Sequence, residues 1–281
     1  NNIDAFLLLG DIVRDKDVNQ AIKIHQSIIL RPKISKNKKI EAHTALAKDF
    51  LQSGDKSKAE DELNIILKID SSNKWALLML KEIATKNENW KEALTHEKKL
   101  MKIDLNHKKN DESMLNYYIA MDYKSKDKIK NYLHYLEKSA AAENIYPESA
   151  LELAQHNKDN VETAISYYKL YAKNKPSQRT LAYNKIENIL FDNQQYDDVE
   201  ILYKELLEKS FDGFALNRLV DILLEKKEVS EAHDLVDRFM KSNYSCHSIR
   251  LNKLKLDSES FEVRKSISSL CNEMIKDEII K

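Results

Sequence analysis

Histidines and acidic residues that could bind a metal ion or transfer protons are frequent in this chain, but their spacing forms no catalytic motif. The sequence has eight histidines. His96 and Glu97 begin the string HEKKL, which lacks the second histidine of the zinc-binding HExxH motif. Four other histidines have no His or Cys three or four residues away, namely His25, His43, His134 and His156. We therefore predict that the chain is not an enzyme and contains no metal site or other cofactor site.

Glycine, serine and cysteine form no reactive site either. Gly10, Gly54 and Gly213 are too far apart to build a phosphate-binding loop, and no serine lies in a GxSxG motif. Cys246 and Cys271 are 25 positions apart, and neither belongs to a CxxC pair. They predict two unpaired thiols and not a disulfide framework or a metal site.

The polar residues best suited to binding a partner lie near the start of the chain. Only seven of the 46 basic residues are arginine, so Arg14 and Arg31 stand out in a lysine-rich composition. A guanidinium group can bind a carboxylate with two hydrogen bonds, which lysine cannot do. The candidate partner-binding residues are Asp11, Arg14, His25, Gln26 and Arg31. The alternative is an internal role, in which Arg14 forms a salt bridge with Asp11 or Asp15.

Composition restricts the elements that could position these residues. The 281 residues include 46 basic and 46 acidic side chains, so the formal net charge is zero and a uniformly basic nucleic-acid-binding surface is excluded. Three glycines and three prolines are too few for the tight turns of a sheet protein of this size. No apolar run reaches the roughly 20 residues that a membrane-spanning helix needs. The composition predicts an all-helical protein.

An alanine that recurs about every 35 residues divides the chain into repeats. Between residues 42 and 70, a first apolar helical face, a Gly54-Asp55 turn and a second face beginning at Ala59 predict a helix–turn–helix unit. The small residue is needed where the two helices cross closely. The predicted repeat positions are Gly10, Ala21, Ala59, Ala93, Ala164 and Ala232, and Val199 takes the place of alanine in the sixth unit. The fourth unit lacks the small residue, and its marker is expected near Ile129.

This period is typical of tetratricopeptide repeats, which are about 34 residues long. The predicted fold class is all-α, a tetratricopeptide-repeat α-solenoid forming a right-handed superhelix of about seven helix–turn–helix units. Residues 1–240 form the predicted array, and residues 241–281 form closing helices of the same solenoid, at 245–257 and 261–280.

Several strings in the first hundred residues resemble the lipopolysaccharide assembly protein B family of tetratricopeptide-repeat proteins. They are LLGDIVR at 8–14, AIKIHQ at 21–26, RP at 31–32, LAKDFLQSGDKSKAE at 46–60 and ENWKEAL at 88–94. The resemblance is specific over residues 5–100 and thins to general repeat architecture beyond them. The turn after Arg14 is one residue shorter than the family's turn and has no glycine.

The resemblance implies a non-enzymatic adaptor that regulates lipopolysaccharide synthesis at the cytoplasmic face of a bacterial inner membrane. Its implied partners are a membrane AAA+ protease, the lipid A deacetylase and lipopolysaccharide assembly factors. Separately from the resemblance, we predict no nucleic-acid partner, because the net charge is zero, and we count a homodimer among the candidate assemblies. Family members also have an amino-terminal membrane helix and a carboxy-terminal rubredoxin-like module with two CxxC pairs that bind a metal. Neither is found in this sequence. We therefore expect a fragment limited to the repeat domain, with membrane attachment and metal binding supplied by the missing ends.

Two alternative functions stay open at this point. A general protein-interaction or co-chaperone module would bind an acidic tail through lysines and arginines on successive first helices. An RNA-binding helical repeat would use the tyrosines that alternate with lysines over residues 116–135.

Overall fold

The computed structural model describes residues 2–104, 110–209, 211–242, 246–258 and 262–270. Within these ranges the secondary structure is helical, without strands, which confirms the all-α tetratricopeptide-repeat class. The chain divides into two compact units, Asn1–Ser149 and Ala150–Lys281. This division lies inside the predicted 1–240 array.

Unit 1 consists of helix pairs joined by short turns. Its helices are α1 (Ile3–Arg14), α2 (Val18–Ile29), α3 (Lys36–Ser53), α4 (Lys56–Ile69), α5 (Lys74–Lys86), α6 (Trp90–Ile103), α7 (Asn110–Ser125) and α8 (Ile129–Ala140). Each of α1, α3, α5 and α7 packs against the helix that follows it, and α2, α4 and α6 pack against the first helix of the next pair. Successive pairs thereby bury apolar faces against one another, as stacked repeats require.

Helix α9 (Pro147–His156) crosses the boundary between the units, and unit 2 continues the alternation. Its further helices are α10 (Val161–Asn174), α11 (Arg179–Asp192), α12 (Tyr196–Lys209), α13 (Gly213–Glu225), α14 (Val229–Ser242) and α15 (His247–Asp257). Residues 262–270 are also helical. The remainder of the predicted last helix, with Cys271, lies outside the described residues. None of the described helices is long and apolar enough to cross a membrane.

The fourth residue of each second helix is buried at the crossing within its pair. Ala21, Ala59, Ala93, Ala164 and Ala232 all hold this position and are fully buried, and Val199 holds it in α12. In the fourth pair the position belongs to Tyr132, which is 3% exposed. The expected marker near Ile129 was wrong, because Ile129 is the first residue of α8 and is 46% exposed.

In five of the helix pairs, the turn has a left-handed residue two positions before the second helix. Gly54 has this conformation before α4, with φ 83°, and glycine adopts it without a steric cost. The same position is held by Glu88, Asp127, Gln194 and Lys227 in later pairs, all with positive φ. These turns therefore form without glycine, at a local conformational cost of about 1–2 kcal/mol each.

Candidate functional site

The five predicted partner-binding residues lie on α1, on α2 and in the turn that follows α2. Asp11 and Arg14 are on α1, His25 and Gln26 are on α2, and Arg31 follows the end of α2. The structure brings two of them together on a residue of α3 that the sequence pattern did not indicate. Arg14 and His25 both contact the carboxylate of Asp49.

Arg14, His25 and Asp49 form a buried polar network that joins three helices. The Arg14 guanidinium donates from Nε to Asp49 and from Nη2 to Asp11. The Nδ1 atom of His25 is 2.6 Å from Asp49 Oδ2, and its Nε2 atom is 3.3 Å from the Leu7 carbonyl oxygen. The side chains of His25 and Asp49 are fully buried, and that of Arg14 is 13% exposed. A buried carboxylate is tolerated only with such partners.

The charge state of Arg14 follows from these contacts. Burial acts to lower the pKa of the guanidinium, but the hydrogen bonds to Asp49 and Asp11 outweigh burial and raise the pKa above its ordinary value. Arg14 therefore stays protonated and neutralises charge inside the fold. The structure therefore shows the internal salt bridge between Arg14 and Asp11 that was the alternative to partner binding, and Asp49 is an additional partner of Arg14.

Gly10 makes this network possible because the His25 ring lies directly on the backbone of α1. A Cβ atom at position 10 would be 2.2 Å from His25 Nε2 and 2.5 Å from Cε1. Only glycine allows a side chain to approach a helix backbone this closely. The packing of His25 therefore depends on glycine at position 10, although the two residues are 15 positions apart in the chain.

The remaining candidates differ in their exposure. Gln26 and Asp11 are exposed. Arg31 places its guanidinium carbon 4.2 Å from the centre of the Phe6 ring, and its Nη1 atom is buried without a hydrogen-bond partner among the described residues. His25 cannot contact a partner in the folded state, because it is fully buried. The prediction that it binds a partner was therefore wrong, and its role is internal. Partner binding by the other four residues stays a prediction.

A second buried network occurs between α5, α6 and α7. The Nζ atom of Lys81 donates to Glu97 at 2.9 Å and to Asp111 at 2.7 Å. Glu97 is fully buried, and the Lys81 side chain is 15% exposed. Burial acts to lower the pKa of Lys81, but its two carboxylate partners raise the pKa overall. Lys81 therefore stays protonated and, like Arg14, neutralises carboxylate charge inside the fold.

A third network joins α11, α12 and α13. The Tyr203 hydroxyl donates to Glu187 Oε2 at 2.7 Å, and the Arg218 guanidinium donates to both oxygens of Glu187. Burial, with the nearby Glu187, raises the pKa of Tyr203, so its hydroxyl remains protonated. A polar residue at the eighth position of a second helix, as at His25, Glu97 and Tyr203, is the sequence signal common to the three networks.

Helix α1 also exposes an apolar surface, which we call the α1 stripe. It consists of Ala5, Leu8, Leu9 and Ile12. Leu8, Leu9 and Ile12 are 62%, 48% and 61% exposed. When Gly10 is aligned with Ala47, the equivalent residues of α3 are Ala42, Ala45, Leu46 and Asp49, all of them buried. The α1 stripe therefore corresponds to the face through which α3 packs against the preceding helix pair, but on α1 these side chains are exposed.

Three aspartates follow one edge of the α1 stripe. Asp4, Asp11 and Asp15 are exposed and are seven and four residues apart, which places them along the same side of the helix. Asp4 pairs with Lys38 and Asp11 with Arg14. The repeat pattern did not indicate this surface, although the run of leucines at 7–9 makes the helix apolar on more than its core face.

The tyrosines considered for RNA binding stack on one another. Trp90 and Tyr118 have ring centres 4.5 Å apart, and Tyr123 and Tyr135 have ring centres 5.6 Å apart with the rings nearly parallel. The Nζ atom of Lys91 lies 4.7 Å from the centre of the Tyr123 ring. Contacts within the protein therefore cover ring faces that RNA bases would need for stacking.

Among the described residues, no group of three or more His, Cys, Asp or Glu side chains is arranged to hold a metal ion. The cofactor expectation stays a prediction. Among the described residues, the ionic networks are buried, and the exposed α1 stripe is the feature suited to binding a protein.

Part of this chain is similar in sequence to bacterial proteins named lipopolysaccharide assembly protein B. Over 142 residues it is 24% identical to lipopolysaccharide assembly protein B of Escherichia coli K12, covering 50% of this chain and 36% of that protein. Over 104 residues it is 32% identical to the protein of the same name in Haemophilus influenzae, covering 37% of this chain and 26% of that protein. This chain therefore matches about a third or less of the length of these relatives. No protein-family model matches it.

Solved structures with similar helical repeats have low sequence identity to this chain. The tetratricopeptide-repeat domain of P58(IPK) is 18% identical, with a TM-score of 0.36, and covers 98% of this chain and 84% of that one. A tetratricopeptide-repeat protein from Parabacteroides merdae is 15% identical, with a TM-score of 0.38, and covers 90% of this chain and 98% of that one.

Proposed function

We propose that this protein is a non-enzymatic adaptor that binds other proteins through its tetratricopeptide repeats. The observation that supports the proposal most directly is the α1 stripe. Three large aliphatic side chains are exposed together on one helix, in the register that buries α3 against a neighbouring helix pair. An exposed apolar patch of this kind marks a binding surface on a protein. The occupant best matched to it is an amphipathic helix with a basic residue facing Asp15, the aspartate of this edge for which no ion pair is found among the described residues.

The process in which the adaptor acts is proposed to be lipopolysaccharide assembly. The support is the similarity to two bacterial proteins named lipopolysaccharide assembly protein B, together with the strings at 8–14, 21–26 and 46–60. By this resemblance the adaptor brings the lipid A deacetylase to a membrane AAA+ protease at the cytoplasmic face of the inner membrane. Holding a substrate beside a protease raises its effective concentration and requires no chemistry from the adaptor itself.

The α1 stripe can be tested with substitutions that do not disturb the core. Leu8→Ser combined with Ile12→Ser removes two exposed aliphatic side chains, and the matched control, Ile103→Ser with Leu254→Ser, removes two others that are 41% and 59% exposed. Binding of the purified deacetylase and of the purified protease would be measured by calorimetry for each variant. We expect one of the two affinities to fall roughly tenfold or more in the stripe variant and neither to change in the control.

The possible outcomes test three points separately, namely the α1 stripe as the binding surface, the lipopolysaccharide assignment and the co-chaperone alternative. Affinities that are equal in the stripe variant, the control and the parent would remove the α1 stripe from the binding surface. Failure of the parent to bind either protein would contradict the lipopolysaccharide assignment. Binding to the carboxy-terminal peptide of a chaperone, with neither of the two proteins bound, would favour the co-chaperone alternative.

A further inference from the structure

Two grooves in unit 2 lie between successive second helices, each above the first helix that separates them. The first groove lies between α10 and α12 above α11 and has a volume of about 430 Å³. The second groove lies between α12 and α14 above α13 and has a volume of about 380 Å³. Both volumes fall within the range of sites that bind small molecules or the side chains of a peptide.

The two grooves are built from residues in the same register. Ile186 and Leu190 line the first, and Leu219 and Leu223 line the second, in each case ten and six residues before the following second helix. These four side chains are at most 4% exposed and form the groove floors. The third, sixth, seventh and tenth residues of that second helix form one wall of each groove. Repetition of the same arrangement one repeat later indicates a feature of the repeat and not an accidental gap.

The opposite walls each carry a lysine at the ninth position of the preceding second helix. Lys169 lies 3.5 Å from Glu205 across the first groove. Lys204 lies 2.8 Å from Glu231 across the second. Because these lysines are engaged by carboxylates of the facing wall, their charges are already compensated.

The acidic residues of the walls exceed the basic ones. In the first groove, Glu162 and Asp198 have no ion-pair partner among the described residues. In the second groove the same holds for Glu208 and Asp234, while Arg238 is the second cation of the lining. Each groove thus combines an aliphatic floor with a net negative lining, by two charges in the first groove and by one in the second, where Arg238 offsets one carboxylate. In the first groove, Ile201 adds an aliphatic wall residue that is 52% exposed.

We propose that these two grooves bind a basic amphipathic segment of a partner protein. Its aliphatic side chains would lie on the leucine and isoleucine floors, and its lysines or arginines would pair with Asp198 and Asp234 at the rims. Negative rims disfavour nucleic acids and acidic peptides, since phosphates and carboxylates would face uncompensated carboxylates. The inference rests on the proposed adaptor function and supplies its second binding surface, located in unit 2, whereas the α1 stripe is in unit 1.

The test uses the full 281-residue chain and two synthetic probes. One is a 14-residue amphipathic helical peptide of leucine and lysine, and the other has glutamate in place of every lysine. Fluorescence anisotropy of the labelled peptides would be measured in a Leu8→Ser, Ile12→Ser background, in which the α1 stripe no longer competes for a basic amphipathic helix. This background is the parent of the test, and it is compared with the same chain carrying Asp198→Asn and Asp234→Asn. The matched control is Asp61→Asn with Glu137→Gln, which makes the same change in net charge on exposed residues of second helices in unit 1.

We expect the lysine peptide to bind the parent and the glutamate peptide not to bind. Removing the two rim carboxylates should weaken binding roughly fivefold to tenfold, as expected for two partly exposed ion pairs, and the control should bind like the parent. Ile201→Ser should weaken binding a further roughly threefold without lowering the melting temperature. Retention of peptide affinity in the rim variant would overturn the inference, as would equal binding of the two peptides or dimerisation through this face in light scattering. Any of these results would leave the test of the α1 stripe unaffected.

Discussion

Replacing Gly10 with alanine is the most direct test of the network at the first helix pair. The added methyl group would lie 2.2 Å from His25 Nε2, closer than two such atoms can approach. The backbone of α1 cannot move away freely, because the same helix carries Arg14, which is bound to Asp49. The imidazole ring of His25 must therefore shift by about 1 Å or more to reach ordinary contact distance.

The expected cost follows from what the shift breaks. His25 Nδ1 lies 2.6 Å from Asp49, and a movement of about 1 Å would lengthen this contact beyond hydrogen-bonding range. Overpacking costs about 1–3 kcal/mol, and a buried hydrogen bond to a charged group contributes about 1.5–3 kcal/mol. Alanine offsets about 1 kcal/mol of this through its higher helix propensity. We expect Gly10→Ala to lower the free energy of unfolding by about 2–4 kcal/mol.

Gly10→Ala should no longer lower the free energy of unfolding when the imidazole ring of His25 is absent. In a His25→Ala background the methyl group meets no imidazole, so Gly10→Ala should be neutral or stabilise by up to about 1 kcal/mol. A double-mutant cycle would measure this coupling by urea denaturation followed by circular dichroism. Because damage to a repeat array can remain local, hydrogen exchange of residues 3–30 would be followed in the same variants. An equal cost of Gly10→Ala in both backgrounds would refute the contact with His25.

Four further expectations follow from the same geometry. Ala59→Leu should destabilise the fold by about 1–3 kcal/mol, whereas Asp61→Ala on the exposed face of the same helix should change stability by less than about 0.5 kcal/mol; equal urea midpoints would contradict the repeat register. Arg14→Lys loses the planar guanidinium, whose Nε and Nη2 atoms donate separately to Asp49 and Asp11, so the melting temperature should fall; unchanged melting with weaker partner binding would place Arg14 in a binding surface instead. Burial lowers the pKa of His96, so the unfolded state binds more protons and stability should fall as pH drops through the ordinary histidine range; in His96→Gln the melting temperatures at about pH 7.5 and about pH 5.5 should differ less than in the parent. Gln194→Gly should raise stability by about 0.5–1 kcal/mol by relieving the left-handed turn, and a lower urea midpoint would contradict this.

The helix pairs could be predicted from the sequence because a close helix crossing restricts residue size. Ala21, Ala59 and Ala93 mark this crossing in the first three pairs, and all are fully buried. The rule failed at the fourth pair because it relied on residue type and not on distance from the helix start. Tyr132 occupies the same fourth position as the alanines, although its side chain is much larger.

The turns show how structure can override composition. A scarcity of glycine correctly indicated the all-α class, yet it gave no sign that ordinary residues would adopt left-handed backbone angles. Glu88, Gln194 and Lys227 do so because each residue stands between two helices whose packing fixes the length and direction of the connection. Local preference is worth about 1–2 kcal/mol at such a position, less than the burial of the helices it joins.

The partners of buried charges could not be predicted from periodicity. Helical spacing suggested Asp11 as a partner for Arg14, because residues three apart share a helix face. It could not indicate Asp49, which is 35 residues away and is brought close only by the packing of α3 on α1 and α2. The same holds for Lys81 with Asp111, which are 30 residues apart. Periodicity identifies which face is buried but not which side chains meet there.

The three networks occur where they can fix how one repeat packs on the next. Apolar helix faces built from leucine, isoleucine and alanine pack in more than one register at similar cost, so they specify alignment weakly. A buried Asp49, Glu97 or Glu187 specifies it more strongly, because any shift would leave a charge buried without its partner, at several kcal/mol. Each network joins the two helices of one pair to the first helix of the next pair, so its register requirement acts across the repeat boundary. These buried carboxylates are unavailable to a partner, so we assign binding to the exposed α1 stripe and to the two grooves.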